Sequence, residues 1–261
     1  MTARLFDTHA HLHFPELAAD LDAVLERAHA AGVAEMVTIG TDRDTNPAAV
    51  ALAERLPGVY ATVGIHPHDA GEATEADFEA MERLARGSTR VVALGEMGLD
   101  FFRNLSPRDA QETVLRRQLA LARRLQKPAV IHCRDAHPEA LAILADERVG
   151  EVGGVMHCFS ADVEVAKRCL DLGLLISLAG PVTYKNARAL PEVARFVPAE
   201  RLVLETDCPF LPPHPHRGQR NEPAWVAITA ARVAELRGVT LDALGEITTG
   251  NARRLFRLDR G

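Results

Sequence analysis

The chain has 261 residues, 47% of them hydrophobic and 25% charged, a composition too apolar for a disordered protein and sufficient for a sizeable core. A net charge of −6 excludes a broad electrostatic grip on nucleic acid, so any contact with a polyanion has to be local and metal-assisted. No stretch approaches the ~20 apolar residues that span a bilayer, and the run from Met1 to Asp7 lacks the basic and apolar regions of a secretory signal, so a cytoplasmic protein without membrane partners is expected.

In chain order, β-rich runs occur at Arg4–Thr8, Glu35–Ile39, Val59–Gly64, Arg90–Leu94, Pro128–Ile131, Val152–Met156, Leu174–Leu178 and Arg201–Leu204. Between them lie amphipathic stretches with apolar residues at helical spacing, among them Leu17–Ala31, Pro107–Arg124 and Asp162–Leu172. A helix–strand unit thus recurs about every 25–35 residues, the pattern of βα units. No Ser- or Pro-rich linker interrupts the series, so one domain over residues 1–261 is expected, of the α/β class. A dinucleotide fold would need a glycine-rich turn after its first strand, where Asp7-Thr8-His9-Ala10-His11 stands instead. That favours a single (β/α)₈ TIM barrel, whose chemistry gathers at the C-terminal ends of the strands.

Those ends carry a coherent set of side chains. The first offers His9 and His11, the third His66, the fourth Glu96, the fifth His132, the sixth His157 and the eighth Asp207. Imidazole and carboxylate are the ligands of divalent-metal hydrolases. His9 and His11, two apart, face the same side of an extended strand and can share an ion. Each residue also has an ordinary reading. His132 and His157 close apolar runs, where hydrogen-bonded core histidines occur; Glu96 alone could be solvated; Asp207 could be a turn residue before Pro209. Their coincidence at the strand ends is what carries the metal reading. Cys133, Cys158, Cys169 and Cys208 show no CxxC spacing and are expected as small buried hydrophobes.

The segments Phe6-Asp7-Thr8-His9-Ala10-His11-Leu12, Gly64-Ile65-His66-Pro67-His68 and Gly95-Glu96-Met97-Gly98-Leu99-Asp100-Phe101-Phe102 have a familiar form. So do Ile131-His132-Cys133-Arg134-Asp135-Ala136, His157-Cys158-Phe159-Ser160, Leu204-Glu205-Thr206-Asp207-Cys208-Pro209, Arg217-Gly218-Gln219-Arg220-Asn221-Glu222-Pro223 and Thr249-Gly250-Asn251-Ala252. In this order, end to end, they resemble the TatD family of metal-dependent deoxyribonucleases among the amidohydrolase-like barrels. Met97 and Phe101 replace the commoner isoleucine and tyrosine, and Ala161 the usual glycine.

The resemblance implies two divalent ions, one held by His9, His11, Glu96 and Asp207, the other by Glu96, His132 and His157, with Glu96 bridging. A carboxylate can span ions roughly 3.5–4 Å apart, the spacing of two-metal phosphoesterases. It further implies hydrolysis of DNA by a metal-activated hydroxide, with Asp207 as proton acceptor. His66, read as neutral, is expected to meet a phosphate oxygen or leaving group, or to be structural. Arg134, Arg217 and Asn221 are expected at substrate phosphates, and Asp7 and Glu205 behind the ligands, fixing their geometry. Tyr184 and Lys185 are weaker substrate-loop candidates, and His13, His68, His214 and His216 are expected as exposed loop residues. Four histidines favour zinc, manganese or cobalt, while magnesium or manganese would serve in an assay.

Among rival activities, amide, lactone or phosphotriester hydrolases of similar barrels often bridge their metals with a carboxylated lysine, and none lies near Glu96. Hydrolysis of D-aminoacyl-tRNA esters remains open from sequence. A metal-stabilised binding module without catalysis is disfavoured by the complete ligand set. The low aromatic fraction, 5%, argues against a long stacking platform and for exonuclease action on single-stranded ends; the resemblance implies a monomer.

Overall fold

The computed structural model describes residues 4–258, so Met1–Ala3 of the N-terminal run lie outside the described residues. Eight strands are present: β1 (Leu5–Ala10), β2 (Val33–Ile39), β3 (Val59–Val63), β4 (Val91–Asp100), β5 (Ala129–Arg134), β6 (Gly154–Met156), β7 (Leu174–Leu178) and β8 (Leu202–Leu204). They form one sheet in sequence order. The pairs β3–β4, β4–β5, β5–β6 and β7–β8 are parallel, with helices between successive strands. Ala10 of β1 also bridges Cys208, just past β8, in parallel. This is the (β/α)₈ barrel topology. All ten residues of β4 and all six of β1 are buried, as strands covered on both faces require.

Several element bounds differ from expectation, two of them substantially. The stretch expected as one helix over Leu17–Ala31 is divided into Pro15–Ala18 and Leu21–Ala30, because the chain at Asp20 leaves helical geometry. Strand β4 does not stop at Leu94 but runs on to Asp100.

The chain comprises two compact units. One is Thr38–His157 with Arg168–Leu175; the other is formed by the described parts of Met1–Val37 and Ile176–Gly261, together with Cys158–Lys167. In the first, three buried amides tie down the segments at strand ends. Asn46 brackets Gly64, its Oδ1 accepting from the Gly64 N–H at 2.9 Å and its Nδ2 donating to the Gly64 carbonyl at 2.9 Å. From helix Arg108–Leu125, Gln118 does the same for Ile65, at 2.8 and 2.9 Å. Gln111, on the same helix, accepts from the Asp100 N–H and donates to the carbonyls of Asp100 and Ser106. Each amide satisfies backbone groups that a strand end would otherwise leave buried and unpaired.

In the second unit, helix Leu241–Leu255 returns to the beginning of the chain. Thr249 Oγ1 donates to the Arg4 carbonyl, and Arg253 donates at 2.8 Å to both carboxylate oxygens of buried Glu35. Asn251 donates to the carbonyls of Ala199 and Leu202, fixing the start of β8. Arg27 and Arg220 pair with Glu222 and Asp20, each at 2.6 Å, and so hold the loop after β8 to helix Leu21–Ala30.

Candidate metal centre

In the unit centred on β3–β6, the chemistry is organised by an irregularity in β4. Leu94 pairs with Ala129, yet Met97 pairs with Ile131, so β4 carries one more residue than β5 over the same interval. A bulge of this kind re-aims a side chain, and the segment it displaces is Gly95-Glu96. Past the bulge Gly98 sits opposite His132, so close that a Cβ on Gly98 would lie 1.8 Å from the His132 carbonyl oxygen. Only glycine permits that approach.

Glu96, 3% exposed, therefore turns a single oxygen towards three imidazoles. Its Oε1 lies 2.8 Å from His132 Nδ1, 3.1 Å from His157 Nε2 and 3.5 Å from His66 Nε2. His157 immediately follows β6 and is anchored by its N–H to the Ile131 carbonyl. His66 caps the short 3₁₀ turn Pro67–Glu72, its Nδ1 accepting from the His68 N–H at 3.1 Å. That bond leaves the ring proton on Nε2. Burial pushes the His66 pKa down to about 4, against the pull of Glu96. His66 is neutral, with its Nε2 facing Glu96 beside His132 and His157.

Two further residues join this cluster: Asp100, which local sequence gives no role, and His68. Asp100 Oδ2 is 3.2 Å from His132 Nε2 and 3.0 Å from His68 Nε2, and Oδ1 accepts from the Arg103 N–H at 2.7 Å. Burial alone would raise this carboxyl, but those hydrogen bonds hold it below the usual carboxylate range. His132 is thus clamped between two carboxylates. Burial disfavours its charged form, while the bonds to Asp100 and Glu96 outweigh that and raise its pKa. His68, expected as an exposed loop residue, is half-buried and engaged because Asp100 reaches it. Alternation along β4 holds the signal: Glu96, Gly98 and Asp100 are spaced by two.

In the other unit, the Nε2 atoms of His9 and His11 lie 3.6 and 3.5 Å from Asp207 Oδ1. Asp207 adopts φ +60°, a left-handed conformation that aspartate tolerates better than most residues. Its N–H donates to the His9 carbonyl, while the His11 N–H donates to the Cys208 carbonyl, so backbone pairing alone brings the three together. Asp7 accepts from Thr206 N and Thr206 Oγ1 at 2.9 and 2.6 Å. Burial drives its pKa up to about 8 despite those bonds. Glu205 accepts from the Cys158 N–H at 2.7 Å and Ser177 Oγ at 2.6 Å.

Asn221 is corrected. It is 0% exposed, and its Nδ2 donates to the carbonyls of Thr206 and Phe210 while its Oδ1 accepts from the Glu222 N–H. With these donors committed to the backbone, it splints the loop bearing Asp207 and does not reach a phosphate. Arg134 and Arg217 are exposed, each with its guanidinium over an aromatic ring: Phe102 at 3.9 Å and Tyr184 at 4.3 Å. Lys185 and His214 are exposed, whereas His13 and His216 are half-buried, His216 stacked on Trp225.

Cys133, Cys169 and Cys208 are buried, and burial raises the first two thiols to about 12 and the third well above its ordinary value. Cys158 departs from expectation. Strand β6 ends at Met156, the backbone turns to φ +42° at Cys158, and the side chain is left half-exposed. Brief treatment of the native protein with iodoacetamide is therefore expected to label one thiol, mapping to Cys158. Equally fast labelling of Cys133 or Cys208 would contradict this burial pattern.

Donors at tetrahedral angles around an ion at ~2.1 Å lie roughly 3.4 Å apart. The separations of 3.5–3.6 Å around Asp207 are close to that value, and around Glu96 His157 at 3.1 Å approaches it, while His132 at 2.8 Å stands at hydrogen-bond distance. Both clusters combine imidazole nitrogen with carboxylate oxygen, so the residues present fit divalent ions.

Comparison with known proteins agrees. A family model described as TatD related DNase matches residues 6–257. The chain is 46% identical over 255 residues to the uncharacterized metal-dependent hydrolase YabD of Bacillus subtilis, covering 98% of this chain and 100% of that protein. It is 40% identical over 260 residues to the 3'-5' ssDNA/RNA exonuclease TatD of Klebsiella pneumoniae, covering 98% of each. Among solved structures it is similar to the TatD homologue YjjV of Escherichia coli, with TM-score 0.93 and 32% identity over 98% of this chain and 99% of that one. Among the described residues, no helix is long and apolar enough to cross a membrane.

Proposed function

The chain belongs to the TatD-related DNase family of metal-dependent hydrolases, and from that premise we propose that it removes nucleotides from the 3' ends of single-stranded DNA or RNA. The observation that carries this reading is the Glu96 cluster, one buried carboxylate oxygen faced by three imidazole nitrogens. Glu96, His132 and His157 would supply donors for one divalent ion, and His9, His11 and Asp207 those for a second, while His66, with its Nε2–H towards Glu96, would orient that carboxylate. Zinc, manganese and magnesium are the candidates. Bound there, such ions supply the Lewis acidity that neutralises phosphate charge and acidifies a nearby water.

The chain's own residues supply the rest. Asp207 takes the proton of the attacking water; at 13% side-chain exposure it is open to solvent, whereas Asp7 and Glu205 are closed at 0%. Asp100 orients His132 through its Nε2, and Asp7 orients the Asp207 loop through Thr206. Arg134 and Arg217 project at the ends of β5 and after β8, where bidentate donors can hold phosphate oxygens.

The test is a time course on 5'-end-labelled single strands with added manganese or magnesium. A ladder shortening from the 3' end is expected, together with loss of activity in EDTA, its return on adding metal, and about two bound ions per chain by elemental analysis. Equal cleavage of closed circular and linear single strands would remove the end requirement. Hydrolysis of D-aminoacyl-tRNA without any shortening of DNA or RNA would replace the nuclease reading by ester hydrolysis.

A further inference from the structure

The loop between β4 and helix Arg108–Leu125 presents a feature that the hydrolytic residues do not use. Phe102 and Leu105 are 60% and 64% exposed, the highest values for large apolar side chains among the described residues. Exposure of this kind usually accompanies a mobile loop, but this loop is fixed. Arg103 N donates to Asp100 Oδ1, Asn104 N to the Asp100 carbonyl, Phe101 N to the Arg134 carbonyl, and Ser106 Oγ to the His68 carbonyl. The loop is therefore tied to Asp100, which contacts His132, and to His68, which shares that carboxylate. A rigid element that holds an aromatic ring in water is suited to a partner from outside the chain.

The ring is also placed beside a cation. Arg134 lies two residues past His132, its guanidinium covers one face of Phe102 at 3.9 Å, and it makes no ion pair with a carboxylate among the described residues. A guanidinium stacked flat on a ring keeps its in-plane N–H donors for an oxyanion. An open aromatic face beside unpaired phosphate donors matches the two chemistries of one nucleotide.

Resting on the nuclease reading above, we propose that Phe102 and Arg134 form a nucleotide seat. A base near the 3' end stacks on the face of Phe102 that Arg134 leaves open, and Arg134 holds the adjoining phosphate. The seat makes the enzyme selective for strands whose bases are unpaired and free to splay, because a base inside a duplex has no face to offer. It also accounts for how a chain with few aromatic residues grips a strand end.

The experiment compares a single-stranded oligonucleotide with the same strand made abasic at its 3'-terminal positions, using metal-loaded enzyme. Wild type is expected to show the lower KM on the base-bearing strand. Phe102→Ala is expected to raise that KM about tenfold, with a smaller change in kcat and little effect on the abasic strand. Phe102→Leu, which keeps apolar bulk without a ring, is expected to behave like Phe102→Ala, and Phe102→Trp like wild type. Equal KM changes on the two strands, or a Phe102→Leu variant indistinguishable from wild type, would overturn the seat while leaving the nuclease reading intact. A wild-type enzyme that cleaves neither strand would overturn both.

Discussion

Asp207→Asn is expected to lower kcat on single-stranded DNA by about 10²–10⁴-fold, the contribution of a positioned general base. Asparagine preserves the volume and keeps a carbonyl oxygen for His9 and His11, but it has no carboxylate to accept a proton. The backbone that brings the three residues together does not depend on this side chain, since Asp207 N bonds the His9 carbonyl and Phe210 N bonds the Asp207 carbonyl. Asparagine also tolerates φ +60° as aspartate does. The variant should therefore fold. The decisive measurement pairs turnover with metal content by mass spectrometry: full activity at unchanged metal content would remove Asp207 from the role of base.

Gly98→Ala is expected to be the most damaging substitution of a single methyl group. The added Cβ would meet the His132 carbonyl oxygen at 1.8 Å, and that oxygen belongs to the backbone of the paired strand, so no rotamer change relieves the clash. Either β4 or β5 must shift, and with it Glu96 or His132. Overpacking of this kind costs roughly 1–3 kcal/mol or more, and the larger consequence is for the ligands. The variant is expected to show both a lower denaturation midpoint and loss of tight metal binding. Gly218→Ala is the control. Gly218 has φ +86°, but a methyl group added there would meet nothing within 4 Å, so its cost is confined to backbone strain of about 1–2 kcal/mol. Unaltered metal affinity in Gly98→Ala would show that the close strand approach does not hold the cluster.

Much of this architecture is legible in the amino-acid order, for a physical reason. Parallel strands buried on both faces are written as short runs of branched apolar residues, and Leu174–Leu178 occurs as a strand over the range expected. Candidate donors at strand ends are legible because barrel chemistry gathers at the C-terminal ends of strands. The limits are also physical. Gly95 and Gly98 read locally as punctuation that should end β4 near Leu94, yet they serve a bulge and a close approach, and the strand continues. Only the pairing partner on β5 distinguishes these uses of glycine. The Asp100–His132 and Asp100–His68 contacts join residues 32 apart in the chain, beyond any local pattern. Asn221 misleads for a related reason. A polar residue in a loop rich in arginine and histidine reads as a ligand contact, whereas its amide is consumed by the carbonyls of Thr206 and Phe210.

The division of the clusters between chain segments also orders their assembly in time. Residues 38–157 are contiguous, so His66, Glu96, His132 and His157 are all available once the first three-fifths of the polypeptide has left the ribosome. His9 and His11 emerge earlier still, but Asp207 follows only after nearly 200 more residues, some 10–40 s later at ordinary rates of translation. Helix Leu241–Leu255, which secures Arg4 and Glu35, comes last. The histidines synthesised first thus wait longest for their carboxylate, and the nascent chain carries one incomplete set of candidate metal donors until about four-fifths of it has been made.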